Sequence, residues 1–307
     1  MSSRRKFIQE TAITTGGLFL ASSAFSSFFI AKKPKVIIIG AGFAGLAAAK
    51  YLHKKGIDFV ILEARNRISG RVFSHTIDEK ENLIIELGAE WVGNSHERIH
   101  NLCNEFGLEL QNNQFDTHLI YKGNYYKKNE WDYSEDWNKK FKAIIDHYPK
   151  LTQAEKLKID KMDWWRFLVN NGCEGRDLDI RELLDSTDFG ETIRSVSAFA
   201  ALAEYAESSE KNEMDLKIKG GNSMLAKKIA DKIGNDKIKL QHAVSRVVQN
   251  SKGGVTVYCN NGQKFTADKI ICTAPTFAVK KIKWEPGLPV DQVNAMNELQ
   301  YARINKN

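Results

Sequence analysis

The feature that most constrains this chain is a stretch of about 30 residues beginning at Lys35. Lys35-Val36-Ile37-Ile38-Ile39 is a short β-branched apolar run, suited to a strand buried on both faces of a parallel sheet. Gly40-Ala41-Gly42-Phe43-Ala44-Gly45 follows at once, then the helix-forming run Leu46-Ala47-Ala48-Ala49. A second apolar run, Phe59-Val60-Ile61-Leu62, ends at Glu63. Gly40 permits a tight turn, Gly42 lets a pyrophosphate approach the backbone, and Gly45 lets the helix pack close to the strand. Ala44 is the small residue between the last two glycines at the helix start, where free N–H groups and the positive dipole end favour phosphate. Glu63 is spaced to accept hydrogen bonds from a ribose diol. Strand, glycines, helix, strand and acid in this order predict a Rossmann-like (G-x-G-x-x-G) unit. The acid favours FAD or NAD over NADP, whose extra phosphate it would repel.

The residues after Glu63 separate FAD from NAD. Glu63-Ala64-Arg65-Asn66-Arg67-Ile68-Ser69-Gly70-Arg71 resembles the E-A-R-x-R-x-G-G-R signature of the flavin-containing amine oxidases, with Ser69 standing where the first glycine of the pair is usual. Gly88-Ala89-Glu90-Trp91, after a predicted strand over Leu83–Leu87, resembles the family's loop beside the flavin ring. Lys219-Gly220-Gly221-Asn222 then precedes a predicted helix with Leu225, Ala226, Ile229, Ala230 and Ile233 on one face, closed by Gly234. Strands are expected over Ile238–Leu240, Ala243–Val248 and Val255–Tyr258, with a hairpin turn at Asn260-Asn261-Gly262. The resemblance covers residues 34–110 and 217–307.

The resemblance implies an α/β fold: a discontinuous FAD-binding domain (34–110 and 218–285) with an inserted mixed α+β substrate domain (111–217, resuming at 286–307). It implies cofactor contacts from Gly40, Gly42, Ala44, Gly45, Glu63, Ala64, Arg65, Gly70, Arg71 and the 88–91 loop, and from Val244 through its backbone to the adenine. Lys306, in Tyr301-Ala302-Arg303-Ile304-Asn305-Lys306, resembles a lysine whose ammonium holds a water against flavin N5. The implied activity is FAD-dependent oxidation of a primary or secondary amine, or an L-amino acid, to the imine, with O2 reduced to H2O2. Two rivals are a flavin desaturase or protoporphyrinogen-type oxidase, and an inactive membrane-tethered nucleotide-binding fragment. Family members run on beyond the position of Asn307, so the chain is expected to stop within the substrate domain and to be inactive by itself.

A metal centre offers a competing motif. His96-Glu97-Arg98-Ile99-His100 fits H-E-x-x-H, with both imidazoles one helical turn apart on one face. Asn94 and Glu97 have capping-box spacing, Ile99, Leu102, Cys103 and Phe106 form an apolar stripe, and Gly107 ends the helix. No third ligand follows at a zincin spacing, so an ordinary packing helix is expected and no metal is assigned.

The first 31 residues read as an address. Ser3-Arg4-Arg5-Lys6-Phe7-Ile8-Gln9 precedes an apolar stretch, Ala12–Ala31, in which eight of twenty residues are Ser, Thr or Gly. That is poor for a bilayer span and resembles a twin-arginine (Tat) export signal read by the Tat machinery, giving a periplasmic or exported protein. An N-terminal membrane anchor through residues 12–31 is the alternative. Net charge is +7, from 45 Lys and Arg against 38 Asp and Glu, but the lysines are scattered in pairs, so no nucleic-acid face is expected. Cys103, Cys173, Cys259 and Cys272 are widely spaced, which excludes a zinc ribbon and a C-x-x-C redox pair. Cys259 and Cys272 flank the predicted hairpin and are expected as buried free thiols. Fifteen of the 31 aromatics fall in residues 111–217, among them Trp131, Trp137, Trp164 and Trp165. Most are expected in a core; an apolar substrate pocket is the functional reading of the segment.

Overall fold

A computed structural model describes residues 35–299 except 82, 209–214 and 252. The expected signal or anchor, and Lys306, lie outside the described residues. The described residues form two compact units, one from residues 35–68 with Ile229–Gly287, the other from Ser69–Lys228 with residues 288–299.

The first unit is built on strand β1 (Val36–Ile39), helix α1 (Phe43–Lys54) and strand β2 (Phe59–Leu62). β1 pairs in parallel with β2 on one side and with Lys269–Cys272 on the other, and β2 pairs in parallel with Ile238–Lys239. All eight residues of β1 and β2 are buried, as their unbroken apolar runs require. Alternation sorts them: Ile37, Ile39, Val60 and Leu62 share a cluster with Val247, Val257 and Cys259 of a second four-stranded sheet, and with Ile282 just before its strand Lys283–Glu285. α1 packs on β1 and β2, burying Leu46, Ala49 and Leu52. Each of the two leucines contributes about 1.5–3 kcal/mol by leaving water. The second sheet carries the expected hairpin, Val255–Cys259 and Lys264–Ala267, around Gly262 at φ 82°.

The second unit is helical through its middle, with helices Glu135–His147, Gln153–Asp160, Trp164–Asn170, Gly175–Phe189 and Ala198–Glu207. Trp137, Trp164, Phe167, Leu168, Ile193 and Leu202 are the heart of its core. Trp137 and Trp164 are therefore packing residues, while Trp131 and Trp165 are half-buried. Residues 69–110 belong with this unit because their strands bond to its later segments: Leu110–Asn112 pairs with Leu216–Ile218, and Val92 bridges Leu216. This cut by packing, at 68/69 and 228/229, differs from the expected cut by cofactor and substrate at 110/111 and 217/218. The predicted face of helix Ser223–Ile233 is buried at all five positions.

Two local expectations are corrected. Helix Glu97–Phe106 starts one residue after His96, which is its N-cap, and no side chain caps it, so Asn94 and Glu97 make no capping box. Cys272 is exposed, not buried, because it ends Lys269–Cys272, the outer strand of its four-stranded sheet; Cys103, Cys173 and Cys259 are buried. All four are free, and burial pushes the Cys173 thiol up to about 12.

Candidate cofactor site

In the first unit the site is the C-terminal end of β1 and the start of α1. Gly40 has φ 102°, a left-handed conformation that a side chain would strain. A Cβ on Gly45 would lie 2.0 Å from the Gly40 carbonyl oxygen, so the first turn of the helix touches the loop backbone and admits only glycine. Thr273 Oγ1 closes the far side, donating to the Ile39 carbonyl at 2.8 Å. No side chain caps α1, its first turn holds no acid, and Ala44 is exposed there. The unpaired N–H groups of that turn are the donors a phosphate requires.

Glu63 sits at the end of β2 with only 8% of its surface exposed. Its Oε2 accepts the Ala41 N–H at 2.7 Å and its Oε1 accepts the Arg65 N–H at 2.9 Å. The carboxylate thus ties the glycine turn to the loop after β2. A carboxylate has about four acceptor positions, so two backbone donors leave capacity for a diol. The Glu63 carbonyl also accepts from His242 N and the Arg65 carbonyl from Gln241 N, which brings the segment before Val244 to the same strand end. Val244 opens strand Val244–Gln249 opposite Cys259. Ala64 and Arg65 are exposed beside Glu63.

In the second unit, Ser69 (φ 79°) and Gly70 (φ 65°) form a left-handed pair that turns the chain, with Val72 N donating to the Ser69 carbonyl. The Arg71 side chain is exposed, but its carbonyl accepts the Ala89 N–H at 3.1 Å. A Cβ on Gly88 would lie 2.0 Å from that same carbonyl oxygen. Arg71 and the 88–91 loop are therefore one piece of backbone packing. Trp91 stacks at a tilt on Phe115, 5.5 Å between ring centres, and Glu90 accepts from Asn113 Nδ2.

The histidines of the H-E-x-x-H motif both meet the backbone of one residue, Gly93. His96 Nδ1 accepts the Gly93 N–H at 3.0 Å, and His100 Nε2 lies 3.1 Å from the Gly93 carbonyl oxygen. No group of three or more His, Cys, Asp or Glu able to hold a metal occurs among the described residues.

Sequence reasoning missed Thr273 and the set Ser74, Glu86 and Asn222. Asn222 donates to the Ala89 and Glu90 carbonyls at 3.1 and 2.6 Å. Its place after Gly220-Gly221 was the one local signal, and it does not name those partners.

The groups present fit a dinucleotide: the helix start is uncapped, Gly45 approaches the loop backbone closely and Glu63 has spare acceptor capacity. The sequence matches the flavin-containing amine oxidoreductase family over residues 43–306. It is 26% identical to flavin-containing amine oxidase B of Homo sapiens, covering 85% of this chain and 54% of that protein. It is 28% identical to an L-amino-acid oxidase of Mus musculus, covering 90% and 47%. The chain thus spans about half the length of these curated relatives. Putrescine oxidase solved with putrescine has the same fold, with a TM-score of 0.73 at 24% identity over 86% of this chain and 63% of that one. Glycine turn, buried acid and family match converge: the chain belongs to the flavin-containing amine oxidoreductases, a family whose cofactor is FAD.

Proposed function

We propose that this chain carries the Rossmann-like, discontinuous FAD-binding domain and part of the inserted substrate domain of an amine oxidase. The reaction is oxidation of a primary or secondary amine, or an L-amino acid, to the imine, with O2 reduced to H2O2. The observation behind this reading is the Glu63–Ala41 hydrogen bond, which fixes an acid with free acceptor positions against the glycine turn. FAD, when bound, supplies an acceptor for the hydride leaving the amine-bearing carbon and a donor to O2. Gly42 and the α1 N-terminus bind pyrophosphate; Glu63 orients the adenosine ribose; the Val244 backbone holds the adenine. Arg71 and the Gly88–Trp91 loop hold the flavin end. Lys306 keeps a cation where negative charge develops on reduction, an electrostatic role that needs no proton transfer.

The visible spectrum of the full-length protein tests this. Flavin bands should bleach with amine under anaerobic conditions and return with air; a colourless protein, or bands indifferent to amines and amino acids, would refute it. Lys306→Met should slow the return about 100-fold, by analogy with loss of one oriented donor, and equal rates would make Lys306 a surface residue. Export by the twin-arginine route belongs to the same reading. Replacing Arg4 and Arg5 by Lys keeps the charge and should hold the protein in the cytoplasm; unaltered delivery would favour an anchor at residues 12–31.

A further inference from the structure

Two segments far apart in sequence, residues 86–90 and 218–222, meet at one buried side chain of the second unit. Asn222, 6% exposed, uses its Nδ2 twice, to the Ala89 carbonyl at 3.1 Å and the Glu90 carbonyl at 2.6 Å. Its Oδ1 accepts the Ile218 N–H at 2.9 Å, and its own N–H donates to Glu86 Oε1 at 2.8 Å. Glu86 in turn accepts from Ser74 Oγ at 2.8 Å, and Ser74 and Ser223 exchange two backbone-to-hydroxyl bonds of 2.9 Å. A Cβ on Gly221 would come within 2.6 Å of Ser74 Cβ, so the joint closes only around glycine.

We infer that Asn222 is a positioning residue for the FAD site, clamping the Gly88–Trp91 loop and, through the Ala89-to-Arg71 bond, the backbone of Arg71. The argument is one of donors and acceptors. The loop presents two carbonyl oxygens and strand Leu216–Ile218 presents an N–H, so the site needs two donors and one acceptor from one short side chain. Only an amide supplies them; the carboxylate of aspartate would set oxygen against oxygen. Gly88 and Ala89 are exposed, so the clamp holds from behind a loop whose front is open. This inference rests on the FAD reading above.

The test compares full-length wild type with Asn222→Ser, whose hydroxyl is too short to bridge both carbonyls, and with Leu202→Ala, a core change in the aromatic cluster away from this joint. FAD affinity and the visible circular dichroism of bound flavin are read at a temperature where all three are folded. Asn222→Ser should weaken FAD binding about 10- to 100-fold, as loss of two buried hydrogen bonds implies, and alter the flavin dichroism. Leu202→Ala should lower the melting temperature with both flavin readouts unchanged. Wild-type affinity and dichroism in Asn222→Ser would overturn the inference. Should that variant not fold, Glu86→Gln carries the test: it weakens the same joint, and unchanged flavin readouts there would overturn it equally. Wild type without FAD would instead refute the cofactor reading itself.

Discussion

Glu63 and Asp185 are both carboxylates withdrawn from water, one in each unit, yet they are served differently. Among the described residues the hydrogen-bond donors to the Glu63 carboxylate are backbone N–H groups, of Ala41 and Arg65, at the end of a strand. Asp185, 1% exposed, is enclosed by side chains: the Trp164 indole donates at 2.6 Å, the Tyr205 hydroxyl at 2.8 Å, and Arg181 lies 3.5 Å away. Arg181 itself lies 3.7 Å from the Phe141 ring centre, near the faces of Tyr133 and Tyr205. Burial pushes the Asp185 carboxyl up and Arg181 opposes it. An acid with donors on all sides fastens helices together, whereas an acid with backbone donors and spare acceptor positions waits for a ligand. Burial by itself does not tell site from scaffold; what completes the hydrogen bonding does.

Asp185→Ala should give the largest effect. It leaves Arg181 charged, buried and unpaired and strands the Trp164 indole, while the Tyr205 hydroxyl keeps Asp188 at 3.1 Å, so about 3–5 kcal/mol of stability should be lost. Denaturant unfolding measures this, and the double variant Arg181→Met/Asp185→Leu should recover part of it because apolar pairs replace buried ion pairs well. A single-variant loss under 1 kcal/mol would place Asp185 with the ligand-ready acids and break the contrast.

Glu63→Ala comes next. FAD binding should weaken by about 1–3 kcal/mol, the usual size of a hydrogen bond to a charged group. Titration of the full-length apoprotein with FAD reads this, and wild-type affinity would remove Glu63 from the site. The smallest effect sharpens the contrast from the other side. Ser69 is 3% exposed, has φ 79°, and its Oγ has no hydrogen-bond partner. Ser69→Gly should relieve about 1–2 kcal/mol of left-handed strain and the orphaned hydroxyl, against about 0.5–1 kcal/mol of glycine entropy. A net gain of about 1 kcal/mol should appear as a melting temperature raised by about 2 °C; a fall would mean that the hydroxyl has a partner in solution.

Much of this was legible in the sequence because the constraints are local. Gly40 and Gly45 are dictated by a backbone angle and a 2.0 Å approach within one turn, and β1 and β2 by unbroken apolar runs. Glu63 was readable because strand and helix lengths fix where the second strand ends. The Asn222 joint was not, since the bonds that cross it join residues 132 to 149 positions apart and a lone Asn, Ser or Glu carries no mark of them. The start of helix Glu97–Phe106 was misread for a related reason. Asn94 and Glu97 have the spacing of a capping box, but His96 and His100 hold the N–H and the carbonyl of Gly93 and the chain enters the helix from there.

The pairing of β1 with Lys269–Cys272 joins residues 233 positions apart. A ribosome adding 5–20 residues per second leaves β1 with one flank unpaired for about 12–47 s. Through that interval an entirely apolar strand offers a free edge, the commonest template for wrong pairing between nascent chains. Chains cut just before Lys269 and just after Cys272 should therefore differ by a step in soluble yield. Slow elongation before Lys269 should cost more soluble protein than slow elongation after Cys272.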